Sequence, residues 1–161
     1  MASSGRARVN DGLIVTIRNV LVVCLGNICR SPMAEGLFGA ALPNAQVASA
    51  GLQALVGKPA DPIARELMEE RGIDIADHQA RQLDAQMCQR ADLILVMDRE
   101  QRRAVEERYQ FARGKVFRLG EFSDRDVLDP YRAGRDAFLH SLTLIEDGAQ
   151  QWAKRISRVS S

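Results

Sequence analysis

Apolar residues in this chain come in short runs separated by polar turns, and the spacing alternates between two kinds. "NVLVVC" (19–24) is a β-branched apolar run of the sort buried on both faces of a sheet. "QVASAG" (46–51), "DLILVM" (92–97) and "KVFRL" (115–119) predict three further strands. Helical spacing fills the gaps. Ser31–Pro32 reads as a helix start, with Ser31 as N-cap, and Met33, Leu37 and Phe38 inward. Asp61–Pro62 opens a second helix that buries Ile63, Leu67 and Met68 and stops at Gly72. A short helix falls near Asp84–Arg90, and Asp98, with Gln101 three residues on, caps another. Phe138, Leu142, Ile145, Ala149, Trp152 and Ile156 then recur at steps of four and three, a single apolar stripe on a long last helix.

Strands alternating with helices imply parallel pairing through right-handed crossovers. The expected fold is α/β, a three-layer sandwich with a four-stranded parallel sheet and helices on both faces. Ligands in such sheets bind beyond the carboxyl ends of the strands. That rule gathers Cys24, Ser49, Asp98 and the loop after Leu119 on one rim. The small, polar stretch 1–16 is expected to be a flexible extension, 17–157 one domain and 158–161 a tail.

Composition narrows the function. The 161 residues suit one domain with a real core. Net charge is +1, from 22 basic and 21 acidic residues, which argues against an electrostatic nucleic-acid binder. No apolar run reaches membrane-spanning length, so no membrane insertion is expected, and "LIVTI" (13–17) is too short for a signal core. Three cysteines do not make a secreted disulfide framework. A reducing cytoplasm is the simplest compartment.

The chemistry concentrates in "VVCLGNICRSP" (22–32). Cys24 ends a strand, Arg30 stands six residues on at a helix start, and Gly26 and Asn27 between them tolerate positive φ. Such a loop turns backbone N–H groups inward as an anion nest, reinforced by the helix dipole. Leu25, Gly26, Asn27, Ile28, Cys29, Arg30 and Ser31 are its candidate phosphate-binding residues. The guanidinium of Arg30 adds a fork matched to phosphate oxygens. A positive field of this kind favours thiolate, so Cys24 reads as a phosphoryl-transfer nucleophile. A lone cysteine at a strand end is more often an inert core thiol, and a bare C-x5-R pattern arises by chance; its position between strand and helix gives it weight. A phenolate also leaves poorly without a proton donor. Asp129, in "DVLDPY" (126–131), sits on the same rim and is kept extended by Pro130. An Asp-Pro turn before a helix explains the same residues, and spacing alone does not decide between the two readings.

These pieces together resemble the low-molecular-weight protein tyrosine phosphatases from about residue 19 to 157. The matching segments are "VCLGNICRSPMAEG", "SAG" after the second strand, "HQARQL" (78–83), "LILVMD" (93–98) and "DPY" (129–131). The resemblance implies metal-free, cofactor-free hydrolysis of aryl phosphate monoesters through a phosphocysteine. Carried across, it makes Cys24 the nucleophile, Arg30 the phosphate clamp, and Asp129 the acid and then the base. It makes Ser31 the hydroxyl facing the thiolate and Asn27 the brace of the loop, with Ser49 and His78 as partners. Asp98 either orients Arg30 or only caps its helix. Cys29 matches a cysteine that forms a reversible disulfide with the nucleophile, though a packing role fits it too.

Two departures from the family's pattern qualify the resemblance. Tyr131 is followed by Arg132 rather than a second tyrosine, so control by paired phosphorylation is not expected. The loop after the second strand offers Leu55 and Val56 where many members carry an aromatic. With Leu25 and Tyr131, Leu55 would wall the substrate cleft. That aliphatic wall is similar to bacterial phosphatases paired with tyrosine autokinases of capsule and exopolysaccharide export. A phosphotyrosine protein, such a kinase among them, is the expected partner, and the enzyme a monomer or weak dimer.

Three rival functions fit parts of the same pattern. An arsenate reductase on this scaffold needs a downstream cysteine pair, and only Cys88 comes after the loop. A cysteine phosphocarrier must not hydrolyse its phosphocysteine, so Arg30 and Asp129 would be liabilities. A metal site of Cys24, Cys29 and His78 lacks a clear second ligand pair, and Arg30 would repel the cation.

Overall fold

The computed structural model describes residues 6–8 and 14–160, with side chains from 17 to 157. Two short strands, β1 (Arg6–Arg8) and β2 (Ile14–Thr16), pair antiparallel. The rest of the expected N-terminal extension lies outside the described residues. The main sheet holds β3 (Asn19–Cys24), β4 (Gln46–Gly51), β5 (Leu93–Val96) and β6 (Val116–Arg118). All pair in parallel, in the order β4-β3-β5-β6. β3 connects forward to β4 on one side, while β5 lies on its other side. The crevice where the order reverses therefore opens at the ends of β3 and β5, beside Cys24 and Asp98.

Each central strand feeds two cores. Val20, Val22 and Cys24 of β3 and Leu93 and Leu95 of β5 join the core beneath α1 (Arg30–Ala41), α2 (Pro62–Glu70) and α5 (Arg135–Ser160). Leu21, Val23, Ile94 and Val96 point the other way, toward α3 (Ala85–Arg90) and α4 (Arg99–Arg108). That is the period of two on a sheet covered on both sides. The α5 stripe is buried along its length, from Phe138 and Leu142 to Trp152 and Ile156.

Three helix starts carry side-chain caps. Asp61, Asp84 and Asp98 each accept a backbone N–H through their side chains, from Ile63, Met87 and Gln101. Ser31, expected as the N-cap of α1, is not one. The helix begins at Arg30, its N-cap is Cys29, and no side chain caps it. The Ser31 hydroxyl is engaged by Asn27 and Cys24 instead.

The end of β6 is held closely. A Cβ on Gly148 of α5 would lie 2.6 Å from the Leu119 carbonyl oxygen, so only glycine lets the helix approach there. The Trp152 indole N–H donates to the carbonyls of Arg118 and Leu119, at 3.2 and 3.1 Å. Among the described residues no helix is long and apolar enough to cross a membrane.

Candidate active site

The loop from Cys24 to Arg30 takes its shape from outside itself. Its consecutive carbonyls each accept a donor from another segment. Leu52 N–H reaches Cys24 O at 3.0 Å, Gln53 N–H reaches Leu25 O at 2.9 Å, and Leu55 N–H reaches Gly26 O at 3.1 Å. His78 Nε2 lies 2.6 Å from Asn27 O, and Asp61 N–H reaches Ile28 O at 2.8 Å. A carbonyl only accepts, so His78 Nε2 carries a proton. With five carbonyls committed outward, the opposite side of the loop is left to N–H groups. Among the described residues no protein acceptor meets the amides of Leu25, Gly26, Ile28 or Cys29. The Asn27 amide alone turns to the sulfur, 3.3 Å from Cys24 Sγ.

Asn27 is the hub. It adopts φ 58°, the left-handed region that asparagine tolerates. Its Oδ1 accepts the Arg81 N–H at 2.8 Å, which fixes the amide orientation. Nδ2 then donates to Ser31 Oγ at 2.7 Å and to Ser49 Oγ at 3.0 Å. Each hydroxyl keeps one proton to give. Ser49 gives its proton to Glu35. Ser31 Oγ lies 2.9 Å from Cys24 Sγ, a contact in which its O–H is the donor whenever the sulfur is thiolate. Two donors therefore meet on the thiolate sulfur, the Ser31 hydroxyl and the Asn27 amide.

Gly26 does not take positive φ, and a Cβ there would meet Ile28 and Leu55 at ordinary contact distances of 3.8 and 3.9 Å. The glycine this loop requires is Gly51, at the end of β4. A Cβ there would lie 2.6 Å from Leu25 O.

Arg30 is 3% exposed. One nitrogen donates to Val127 O at 2.8 Å and lies 3.9 Å from Asp98, while the other lies 3.6 Å from Asp129. Its buried Nε has no hydrogen-bond partner. An orphaned guanidinium donor beside a ring of free amides calls for an anion. One Asp98 oxygen caps α4 through Gln101 N–H at 2.7 Å, and the other lies 3.9 Å from the Arg30 guanidinium.

Asp129 stands on the loop after β6, its carboxylate partly exposed and accepting the Tyr131 N–H at 3.1 Å. Cys24, Arg30 and Asp129 line one cavity of about 210 Å³, walled by Leu25, Leu55 and Tyr131. Val56 lies outside it, well exposed. Asn27, Ser31, Ser49, His78 and Asp98 stand behind or beside this cavity rather than in its lining. A wider groove of about 870 Å³ adjoins and shares Leu25, Arg30, Gln53 and Asp129.

Cys24, Cys29 and Cys88 are free thiols. Burial pushes the Cys29 thiol far above its ordinary range, with Asp61, Cys24 and Asp129 adding to the effect and Arg30 opposing it. Cys88, buried behind the sheet, is pushed up to about 11 by burial. Among the described residues no group of three or more His, Cys, Asp or Glu side chains could hold a metal ion.

Glu35, Arg81, Gln53 and the Val127 carbonyl went unread in the sequence. Glu35 stands one helical turn beyond Ser31, a spacing that brings it to the same side. Arg81 reaches Asn27 and Val127 reaches Arg30 through backbone atoms, which carry no residue signature, although the Arg81 guanidinium also donates to Ser49 O at 3.3 Å.

Comparison with known proteins agrees with this geometry. Residues 19–161 match the model of the family described as low molecular weight phosphotyrosine protein phosphatase. The chain is 50% identical over 140 residues to the probable low molecular weight protein-tyrosine-phosphatase EpsP of Ralstonia nicotianae, covering 87% of this chain and 97% of that one. The crystal structure of the Erwinia amylovora tyrosine phosphatase AmsI is 40% identical, with a TM-score of 0.85 over 95% of this chain and 98% of that one. Vibrio vulnificus Wzb in complex with benzylphosphonate is 43% identical, with a TM-score of 0.83 over 86% and 98%. Sequence, fold and site agree, and the chain belongs to the low molecular weight phosphotyrosine protein phosphatase family.

Proposed function

We propose a division of labour for the phosphotyrosine hydrolysis that membership in this family assigns to the chain. Cys24 Sγ attacks phosphorus while the bond to the tyrosine oxygen breaks, and Asp129 gives that oxygen its proton. The free loop amides and Arg30 hold the three equatorial oxygens, where charge is spread in the transition state. In the second step Asp129 takes a proton from water, which displaces Cys24 and releases phosphate. Ser31 and the Asn27 amide stabilise the leaving sulfur. Asp98 and Val127 O hold Arg30, and His78, Ser49 and Glu35 support Asn27.

The observation that carries this reading is the outward commitment of the five carbonyls from Cys24 to Ile28. It leaves an inner surface of donors only, suited to a tetrahedral dianion and hostile to a cation. Leu25, Leu55 and Tyr131 give the cleft apolar walls for an aromatic ring.

Cys29 is assigned the role of redox partner. A hydroperoxide oxidises Cys24 to the sulfenic acid, and Cys29 attacks that sulfur, forming a disulfide and releasing water. The physiological substrate is proposed to be a bacterial tyrosine autokinase of polysaccharide export. The aliphatic Leu55 in the cavity wall supports this, as does likeness to EpsP and AmsI. The enzyme acts in the cytoplasm as a monomer or weak dimer.

The test is an aryl-phosphate assay in excess chelator, beside Cys24→Ser and an arsenate-reduction control. Turnover that survives chelation and vanishes in Cys24→Ser, with phosphate binding kept, supports the reading. Arsenate reduction coupled to thioredoxin would overturn it.

A further inference from the structure

The geometry points to Arg118, outside the cavity, as the positioning residue of the acid-bearing loop. Arg118 ends β6 and is 5% exposed. Its guanidinium donates to Asp126 at 3.0 Å and to Asp124, and lies 3.8 Å from Glu121. Its own N–H donates to Glu121 at 3.3 Å. The loop folds back tightly around this cation. Arg125 N–H donates to Gly120 O at 3.0 Å, and a Cβ on Gly120 would strike the Arg125 carbonyl. Asp124 turns through φ 48° to face the guanidinium, and Arg99 donates to the same carboxylate oxygen at 2.7 Å.

The residues just beyond Asp126 make this more than a stabilising cluster. Asp126 immediately precedes Val127, whose N–H donates to Met97 O at 2.8 Å and whose carbonyl accepts from Arg30 at 2.8 Å. Asp129 comes two residues later. The path from the buried cation to the acid is thus one carboxylate and three further residues of the loop. Arg30 has Asp98 as a second anchor. Beyond Val127, the Asp129 loop has the Leu128 carbonyl, which accepts from Ser141 at 2.8 Å. Loss of Arg118 therefore falls on the acid more than on the clamp. The inference rests on the reading of Asp129 as the acid.

The test is steady-state kinetics on the full chain, with aryl phosphates spanning good and poor leaving groups. The proteins are wild type, Arg118→Met, Asp129→Ala and the double variant. Arg118→Met should lower kcat/KM on phosphotyrosine, which reports only the first step, about tenfold, part of the roughly 10²–10⁴ a positioned acid supplies, and leave that of a nitro-substituted ester within about twofold. Inhibition by inorganic phosphate should stay within about twofold, since the anion loop is untouched. In the Asp129→Ala background the added substitution should no longer change the leaving-group dependence. Arg118→Lys, a single point charge in place of a fork, should restore only part of the loss. If Arg118→Met does not fold, Asp126→Asn reads the same relationship from the solvent side. A uniform loss of kcat/KM on all esters, or an additive double variant, overturns the role of Arg118. If Asp129→Ala itself shows no leaving-group dependence, the assignment of the acid fails first and this inference falls with it.

Discussion

The Arg81 N–H donates to Asn27 Oδ1 at 2.8 Å, and this one bond settles which way the Asn27 amide faces. It thereby points Nδ2 at two hydroxyl oxygens, that of Ser49, which gives its proton to Glu35, and that of Ser31, which faces Cys24. Asn27→Asp keeps the size and the acceptor for Arg81 but removes both donors. It should lower kcat steeply and cost about 1–3 kcal/mol of stability, because buried hydroxyls lose their partner. Paired kinetics and thermal melts check this; an unimpaired enzyme would sever the link between Arg81 and the sulfur.

Gly51→Ala and Gly26→Ala should part company. At Gly51 the added methyl meets Leu25 O at 2.6 Å, so the loop must move, at about 1–3 kcal/mol of stability and with weaker inhibition by phosphate. At Gly26 the same methyl meets side chains at 3.8 and 3.9 Å and should be tolerated. Melting temperatures and phosphate inhibition constants of the two variants give the comparison.

Acid should weaken the β6 end through Asp124. The Arg118 guanidinium, joined by Arg99, holds this carboxyl below the usual range. A lowered folded-state pKa contributes stability above the unfolded value, about 3.9, that is lost as pH falls through the folded one. Asp124→Asn should therefore be less stable than wild type at neutral pH, with the difference shrinking below about pH 4. Denaturant midpoints from neutral pH down into the acid range measure it.

Alkali should act through Cys88. Its thiol is pushed up to about 11 by burial. A raised folded-state value means stability is full below the ordinary thiol value and is lost as pH climbs through the folded one. Relative to Cys88→Ser, wild type should lose ground between the ordinary thiol pKa of about 8.5 and the raised value. Parallel melts in that range would show the two curves converging, or refute the burial argument.

Much of this molecule is legible in its letters. The strands at 19–24 and 46–51 and the caps at Asp61 and Asp98 are written in apolar runs and aspartates that act locally. Cys24, Arg30 and Asp129 are legible because side-chain chemistry at a strand end is residue-specific. Ser31 misleads because a serine before a proline favours an N-cap, yet a hydroxyl within reach of a buried amide and a sulfur goes to them instead. Gly26 misleads in the same way, since its φ need falls on its neighbour Asn27. Glu35 looks like any solvated helix carboxylate, and the Val127 carbonyl has no letter at all. The cluster at Arg118 depends on three acids converging from a turn whose path only the fold defines.

The scaffolding of the anion loop by distant carbonyl partners also bears on how the enzyme matures. Residues 52–61 and His78 come after the loop in the chain, so a nascent or truncated peptide ending near Ala41 holds the cysteine and arginine without the cradle. Phosphate affinity should consequently emerge only with cooperative folding of the whole domain. The amide hydrogens that brace the loop from outside, those of Leu52, Gln53, Leu55 and Asp61, should then exchange at rates set by global rather than local opening.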